Sequence, residues 1–215
     1  MNPITIEIWS DILCPFCYIG KRHLEAALKE FPNQSFIIKW KSFQLNPNLK
    51  PDSTQNSYTS LAQQKGISVA ESKAMHQNVV ERAAQVGLTY DFEKTVVTNS
   101  LNMHRLLHLA ATENVATELK ELFFKSYFTD GKNLNDPEIL KKFAVQAGIE
   151  ESKVIAVLEN PEMYANEVQK DMKEAQEIGI QGVPFFVFDR KYAISGAQPV
   201  TNFVKTIESL STDSN

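Results

Sequence analysis

Cys14 and Cys17 are the only cysteines in 215 residues, and they sit where a strand pattern gives way to a helical one. A single pair that close cannot staple a chain of this length, so it reads as redox or metal chemistry. Residues 4–9 are rich in β-branched and aromatic side chains and predict a first strand. After the turn at 10–13, Ile19, Leu24, Ala27, Leu28 and Phe31 recur at helical steps. Pro15 suits the first helical turn, where a missing N–H costs nothing, and Pro32 ends the helix. Residues 36–43 predict a second strand.

A strand, a loop bearing Cys-x-x-Cys, a helix and a strand make the opening of a thioredoxin-like fold. At a helix N-terminus Cys14 would meet unpaired N–H groups and the positive end of the helix dipole. Both favour a thiolate, so a lowered Cys14 pKa is expected. Cys17, about one turn deeper on the same side, is placed to resolve a mixed disulfide formed at Cys14. Zinc sites use the same spacing, and His104 with His108, at i and i+4, would complete a nominal four-ligand set. The motif His-Arg-Leu-Leu-His lacks the Glu of a zinc peptidase, and His104 and Arg105 are read as packing within the insertion. No metal is expected, because the family resemblance given below assigns the cysteines to redox chemistry.

The rest of the chain fits a discontinuous α/β domain. Helices are predicted at 58–65, 68–86, 99–114, 116–129, 137–147, 151–159 and 161–178. Asp136-Pro137-Glu138 is a cap, a first-turn proline and an acid in order, and Gly148 is a stop. Strand chemistry returns at 185–188 and 191–195, with a turn at Asp189-Arg190 and a final helix at 200–210. Residues 1–50 and 180–215 are therefore assigned to an α/β sheet domain of thioredoxin-like fold, and 55–178 to a large all-helical insertion. Val183-Pro184 directly precedes the Phe-rich strand. Thioredoxin-like proteins place a cis-proline facing the Cys-x-x-Cys at this point, and the likeness implies the same for Pro184. Val183 would then offer its backbone to an extended substrate.

A net charge of −4 without a basic run gives no reason to expect nucleic-acid binding. No signal-peptide pattern opens the chain, and no apolar run approaches the roughly 20 residues of a membrane helix. A cytoplasmic protein without a membrane partner is the expectation. The oligomeric state is left open.

At this point the sequence resembles a known family, the FrnE-like branch of the DsbA family of dithiol–disulfide isomerases. The resemblance rests on residues 11–22, 43–47, Asn99 with 104–106, 127–131, and 179–187 with 195–199. It implies a thioredoxin fold with a helical insertion and redox chemistry at Cys14 and Cys17. Glutathione-dependent relatives, the chromene-carboxylate isomerases and kappa-class transferases, carry Ser at the nucleophile position. Two cysteines here favour dithiol exchange. By the same resemblance Asn46, Val183 and Gly196 match a glutathione-binding site.

The expected reaction is thiol–disulfide exchange with disulfide-bearing proteins or small thiols, Pro15, Phe16, Val183 and Pro184 meeting the substrate. No bound cofactor is expected beyond the redox-active pair, with glutathione as a candidate co-substrate. The direction of electron flow is not set by the sequence. Glu7, an acid in an apolar strand, is a candidate for taking the Cys17 proton, and Asp11 a rival for tuning the site. Trp9, Trp40, His23 and His76 are read as structural. The alternatives are glutathione-dependent isomerisation or transfer on a small hydrophobic molecule, and a holdase that needs no cysteine.

Overall fold

The computed structural model describes residues 2–212. The elements begin with β1 (Ile4–Ser10), α1 (Pro15–Leu28), β2 (Phe36–Ser42), α2 (Ser57–Lys65), α3 (Val69–Ala84) and α4 (Leu101–Thr112). They continue with α5 (Ala116–Phe128), α6 (Pro137–Gln146), α7 (Glu151–Glu159), α8 (Ala165–Glu177), β3 (Phe185–Phe188), β4 (Tyr192–Ser195) and α9 (Val200–Thr212). The chain forms two compact units, one from its start to Leu45 and again from Lys170 onward, the other Asn46–Gln169.

The first unit holds the sheet, in the order β2-β1-β3-β4. β1 is parallel to β2, with α1 as the crossover, and antiparallel to β3. The period of two along a strand sorts the side chains. Ile4, Ile6 and Ile8 join Phe186, Phe188 and Ile194 under Leu24 and Ala27 of α1 and Phe203 and Ile207 of α9. Trp9, Phe185 and Val187 turn to the other face, against Phe43, Ala175 and Ile180. This is the thioredoxin-like sheet that the opening pattern predicts.

The β3–β4 turn is closed by a Lys191 N–H to Phe188 carbonyl bond of 2.9 Å, with Asp189 and Arg190 at φ 46° and 55°. Phe188 pairs with Tyr192 across a loop of three residues, and the two consecutive left-handed residues in it suit the hairpin twist although neither is glycine. Their side chains offset the conformational cost. Asp189 Oδ1 accepts the Thr5 N–H at 2.7 Å, and Arg190 binds Glu7 through two bonds of 2.7 Å.

The second unit is helical apart from one bridge, Asp52 with Val97. Its helices start on local signals. Asn56 with Thr59, and Ser68 with Glu71, form reciprocal capping boxes, and Asp136 caps α6 ahead of Pro137. The helix predicted at 161–178 begins later, at Ala165. Asn160 explains this: its Oδ1 takes the Glu162 N–H and its carbonyl the Met163 N–H, closing a turn. Tyr164 follows at φ 61°, outside the helical region. Asn99 ties the connecting loop to α4 by donating to the carbonyls of Pro47 and Leu49, both at 3.0 Å. Gly131, at φ 61°, leaves no room for a side chain: a Cβ would lie 2.3 Å from that of Lys94.

Arg105 of α4 is 2% exposed. It donates to the Met163 carbonyl and Asn102 Oδ1, both at 2.8 Å, and to the carbonyls of Val157 and Asn160. It thus serves the C-terminal end of α7, where helix geometry leaves carbonyls without intrahelical donors. Burial pulls the guanidinium below its ordinary value, with Glu162 acting the other way.

His76 is buried, 4.4 Å from Phe92 and 5.0 Å from Tyr58 between ring centroids. Burial pushes its pKa below the ordinary 6.5, although Nδ1 also meets the Ser72 carbonyl. With the folded value depressed, the unfolded chain takes up the proton first. Stability is therefore constant above about pH 7 and falls as pH drops through 6.5 toward the folded pKa. Thermal melts from pH 7.5 to 5 should show this loss, and H76F should flatten it. An identical slope in both proteins would contradict the assignment.

Candidate active site

The cysteine loop is held by Asp11, which is buried at the end of β1. Its carbonyl accepts the Cys14 N–H at 3.2 Å, Oδ1 accepts the Leu13 N–H, and Oδ2 accepts the Leu45 N–H at 2.8 Å. Cys14 is the N-cap of α1, with extended backbone angles and Pro15 directly after it. The Cys17 N–H donates to the Cys14 carbonyl at 3.0 Å, closing the first turn. Both thiols are free, and both are buried, Cys14 at 4% and Cys17 at 1% exposure. Pro15 and Phe16 are half-buried, so Phe16 presents less surface than expected.

The opposite wall comes from the segment before β3. The Val183–Pro184 bond is cis, as anticipated. The Cys14 thiol donates to the Val183 carbonyl across 3.5 Å. The next carbonyl, of Pro184, accepts the Gly196 N–H at 2.8 Å. Gly196, at φ 80°, starts a turn in which Gln198 N–H donates back to it, and His23 Nδ1 lies 2.8 Å from the Gln198 carbonyl. Cys14, Val183, Pro184 and Gly196 are thus brought together.

The electrostatics differ from expectation. Cys14 is raised well above its ordinary value, first by its hydrogen bond with Cys17, then by burial and by repulsion from a charge on Cys17. Asp11 adds in the same direction, and only the Cys17 backbone N–H opposes it. The expected lowering considered the helix end alone. In the folded chain a negative charge on the Cys14 sulfur is disfavoured by burial and by the neighbouring Cys17 and Asp11.

Glu7 does not join the cysteines. It alternates with Ile6 and Ile8, so it faces away from α1 on the side of Trp9. Its carboxylate is held by Arg190, which also binds Glu174 at 2.6 Å. Glu174 meets Lys41, Lys41 meets Asp171, and Asp171 accepts the Ser42 N–H and, through its carbonyl, the Trp9 indole N–H. Burial pulls Lys41 down, but the bonds from Asp171 and Glu174 outweigh it and hold the amine above its ordinary range. The role of Glu7 is to anchor the β3–β4 turn and α8, and the proton-handling expectation is corrected accordingly.

Asn46 opens the second unit, exposed, its carbonyl accepting the Leu49 N–H. His104 is buried in α4, and the His108 ring stacks on Tyr164 with centroids 6.5 Å apart. Among the described residues no group of three or more His, Cys, Asp or Glu gathers as a metal would require.

Gly20, part of the 11–22 stretch, has a packing role that the sequence does not announce. A Cβ there would stand 3.0 Å from Pro184 Cγ and 3.1 Å from Phe186 Cζ, so α1 approaches the proline segment only because this residue has no side chain. A glycine inside a helical pattern, next to the apolar Tyr18 and Ile19, was the available signal. Gly20→Val should press on Pro184 and lower stability by about 1–3 kcal/mol, the range for overpacked cores. Denaturant unfolding measures it. An unchanged midpoint would mean the proline segment moves freely.

Residues 5–208 match the family described as DSBA-like thioredoxin domain. The chain belongs to that family. A probable DsbA oxidoreductase, SCO1869 from Streptomyces coelicolor, is 38% identical and superposes with a TM-score of 0.89, over 96% of this chain and 89% of that one. The uncharacterized protein YwbO of Bacillus subtilis (strain 168) is 25% identical over 207 residues, 95% of this chain and 96% of its own. The cytosolic disulfide reductase DsbM from Pseudomonas aeruginosa, solved with GSH, shares the fold at 15% identity and a TM-score of 0.66, over 96% and 98% of the two chains. The DsbA-type chain is thus a thiol–disulfide oxidoreductase on the thioredoxin-like fold that its sequence predicts.

Proposed function

We propose that this oxidoreductase works by dithiol exchange, with Cys14 as nucleophile and Cys17 as resolving thiol. One observation carries the reading: Cys14 heads α1, one turn before Cys17, with its sulfur against the Val183 carbonyl. The Cys14 thiolate attacks a substrate disulfide, a Cys14–S bond forms, and the departing sulfur leaves as a thiolate that takes up a proton. Cys17, after losing its proton, attacks the Cys14 sulfur. The internal disulfide forms, the second substrate thiolate departs, and two electrons have passed to the substrate. The reverse sequence oxidises a dithiol.

Pro15, Phe16, Val183 and Pro184 form the substrate-facing edge in this reading, which takes disulfide-containing proteins or small thiols. Glutathione is the proposed small-thiol partner, through Val183 and Gly196, and a reducing cytoplasm the proposed setting. The DsbM structure holds GSH on the same fold, which supports this. No helix among the described residues is long and apolar enough to cross a membrane.

Equilibration across glutathione buffers, with free thiols counted by alkylation and mass, tests the proposal. A two-electron transition between dithiol and internal disulfide is expected. A glutathione adduct at Cys14 without an internal disulfide would favour the isomerase or transferase chemistry instead.

A further inference from the structure

The Val183 carbonyl is the acceptor that a strand-like substrate would use at this site, and in the dithiol protein the Cys14 thiol already occupies it at 3.5 Å. The next carbonyl along, of Pro184, is engaged by the Gly196 N–H, and from Phe185 onward the backbone belongs to the sheet. Val183 is half-buried, whereas Pro184 is buried. The single proton of the Cys14 thiol is shared between the Val183 carbonyl and the Cys17 sulfur, whereas a thiolate or a disulfide sulfur has none to donate. The bond to Val183 therefore exists only while Cys14 is protonated, and it holds the nucleophile in its unreactive form.

We infer that the Val183 carbonyl is handed from the Cys14 thiol to a backbone N–H of the incoming substrate, so that docking of an extended segment itself releases the nucleophile. The inference rests on the proposed role of Cys14 and extends it to substrate choice. A disulfide carried on extended polypeptide triggers the handover. A small disulfide without a suitably placed N–H does not, and it meets a thiol still engaged by Val183. The handover also couples affinity to redox state. An extended segment must displace the thiol from the dithiol form, but not from the disulfide form.

The test uses the full-length protein with Cys17→Ser, so that the first step is read alone as mixed-disulfide formation. Its substrates are a peptide disulfide and a series of that peptide N-methylated at one residue at a time around the cysteine. One position in the series should slow the step about fivefold, the value of one net hydrogen bond, toward the rate of hydroxyethyl disulfide, while its neighbours should not. In a binding measurement with the same peptide carrying Ser for Cys, the disulfide form and Cys14→Ala should both bind about twofold tighter than the dithiol protein, since a thiol is a weak donor. Equal rates across the series, or equal affinity of Cys14→Ala and the dithiol protein, would overturn the handover and leave the oxidoreductase reading intact. Failure to form a mixed disulfide with any substrate would overturn both.

Discussion

Replacing Cys14 by Ser is expected to lower turnover of a disulfide substrate by roughly three orders of magnitude or more, as removal of a nucleophile does elsewhere. The hydroxyl keeps a donor toward Val183, so the local geometry should survive while the reactive sulfur is lost. Cys17→Ser should behave differently. Cys14 can still attack, but the mixed disulfide has no internal thiol to resolve it, and the adduct should accumulate. Insulin reduction followed by turbidity gives the rate, and intact mass under non-reducing conditions gives the adduct. Full turnover by either variant would refute the assignment, and adducts trapped on Cys17 in Cys14→Ser would reverse it.

Arg105→Met is expected to cost about 3–5 kcal/mol. Methionine fills much of the volume but leaves the carbonyls of Val157, Asn160 and Met163 without their charged donor. Each is an acceptor at or just beyond the end of α7, where no helical N–H is available. For a chain of this size the loss corresponds to a fall in Tm on the order of 10 °C. Asn102→Ala removes only the fourth partner and should cost far less. Thermal unfolding of the two variants separates them, and similar midpoints would mean that the Arg105 side chain contributes packing alone.

Several of the strongest features were legible because they are local. The helix at Asp136-Pro137 starts on its own cap, and the Cys14 loop sits between a strand and a helix whose periods differ. The facing of Glu7 was also legible, since strict alternation with Ile6 and Ile8 places it opposite α1; its acidity drew attention away from its register. The late start of α8 was harder to read. Turn bonds from Asn160 compete with helix continuation, and the backbone of Tyr164 leaves the helical region, as its residue type alone does not announce.

Short-range patterns along the chain set the strand-loop-helix opening, the α/β alternation, the pairing of Cys14 with Cys17 and the return to strand after Val183-Pro184. Each depends on neighbours within a few positions. The tertiary structure decided what those residues meet. Cys14 reaches a carbonyl 169 residues away, Glu7 reaches an arginine 183 residues away, and Gly20 matters because Pro184 packs against it. It also reversed the expected charge preference of Cys14. A helix end stabilises a thiolate through nearby N–H groups, but burial of the sulfur comes only with the folded chain, and it adds to the local effects of Cys17 and Asp11.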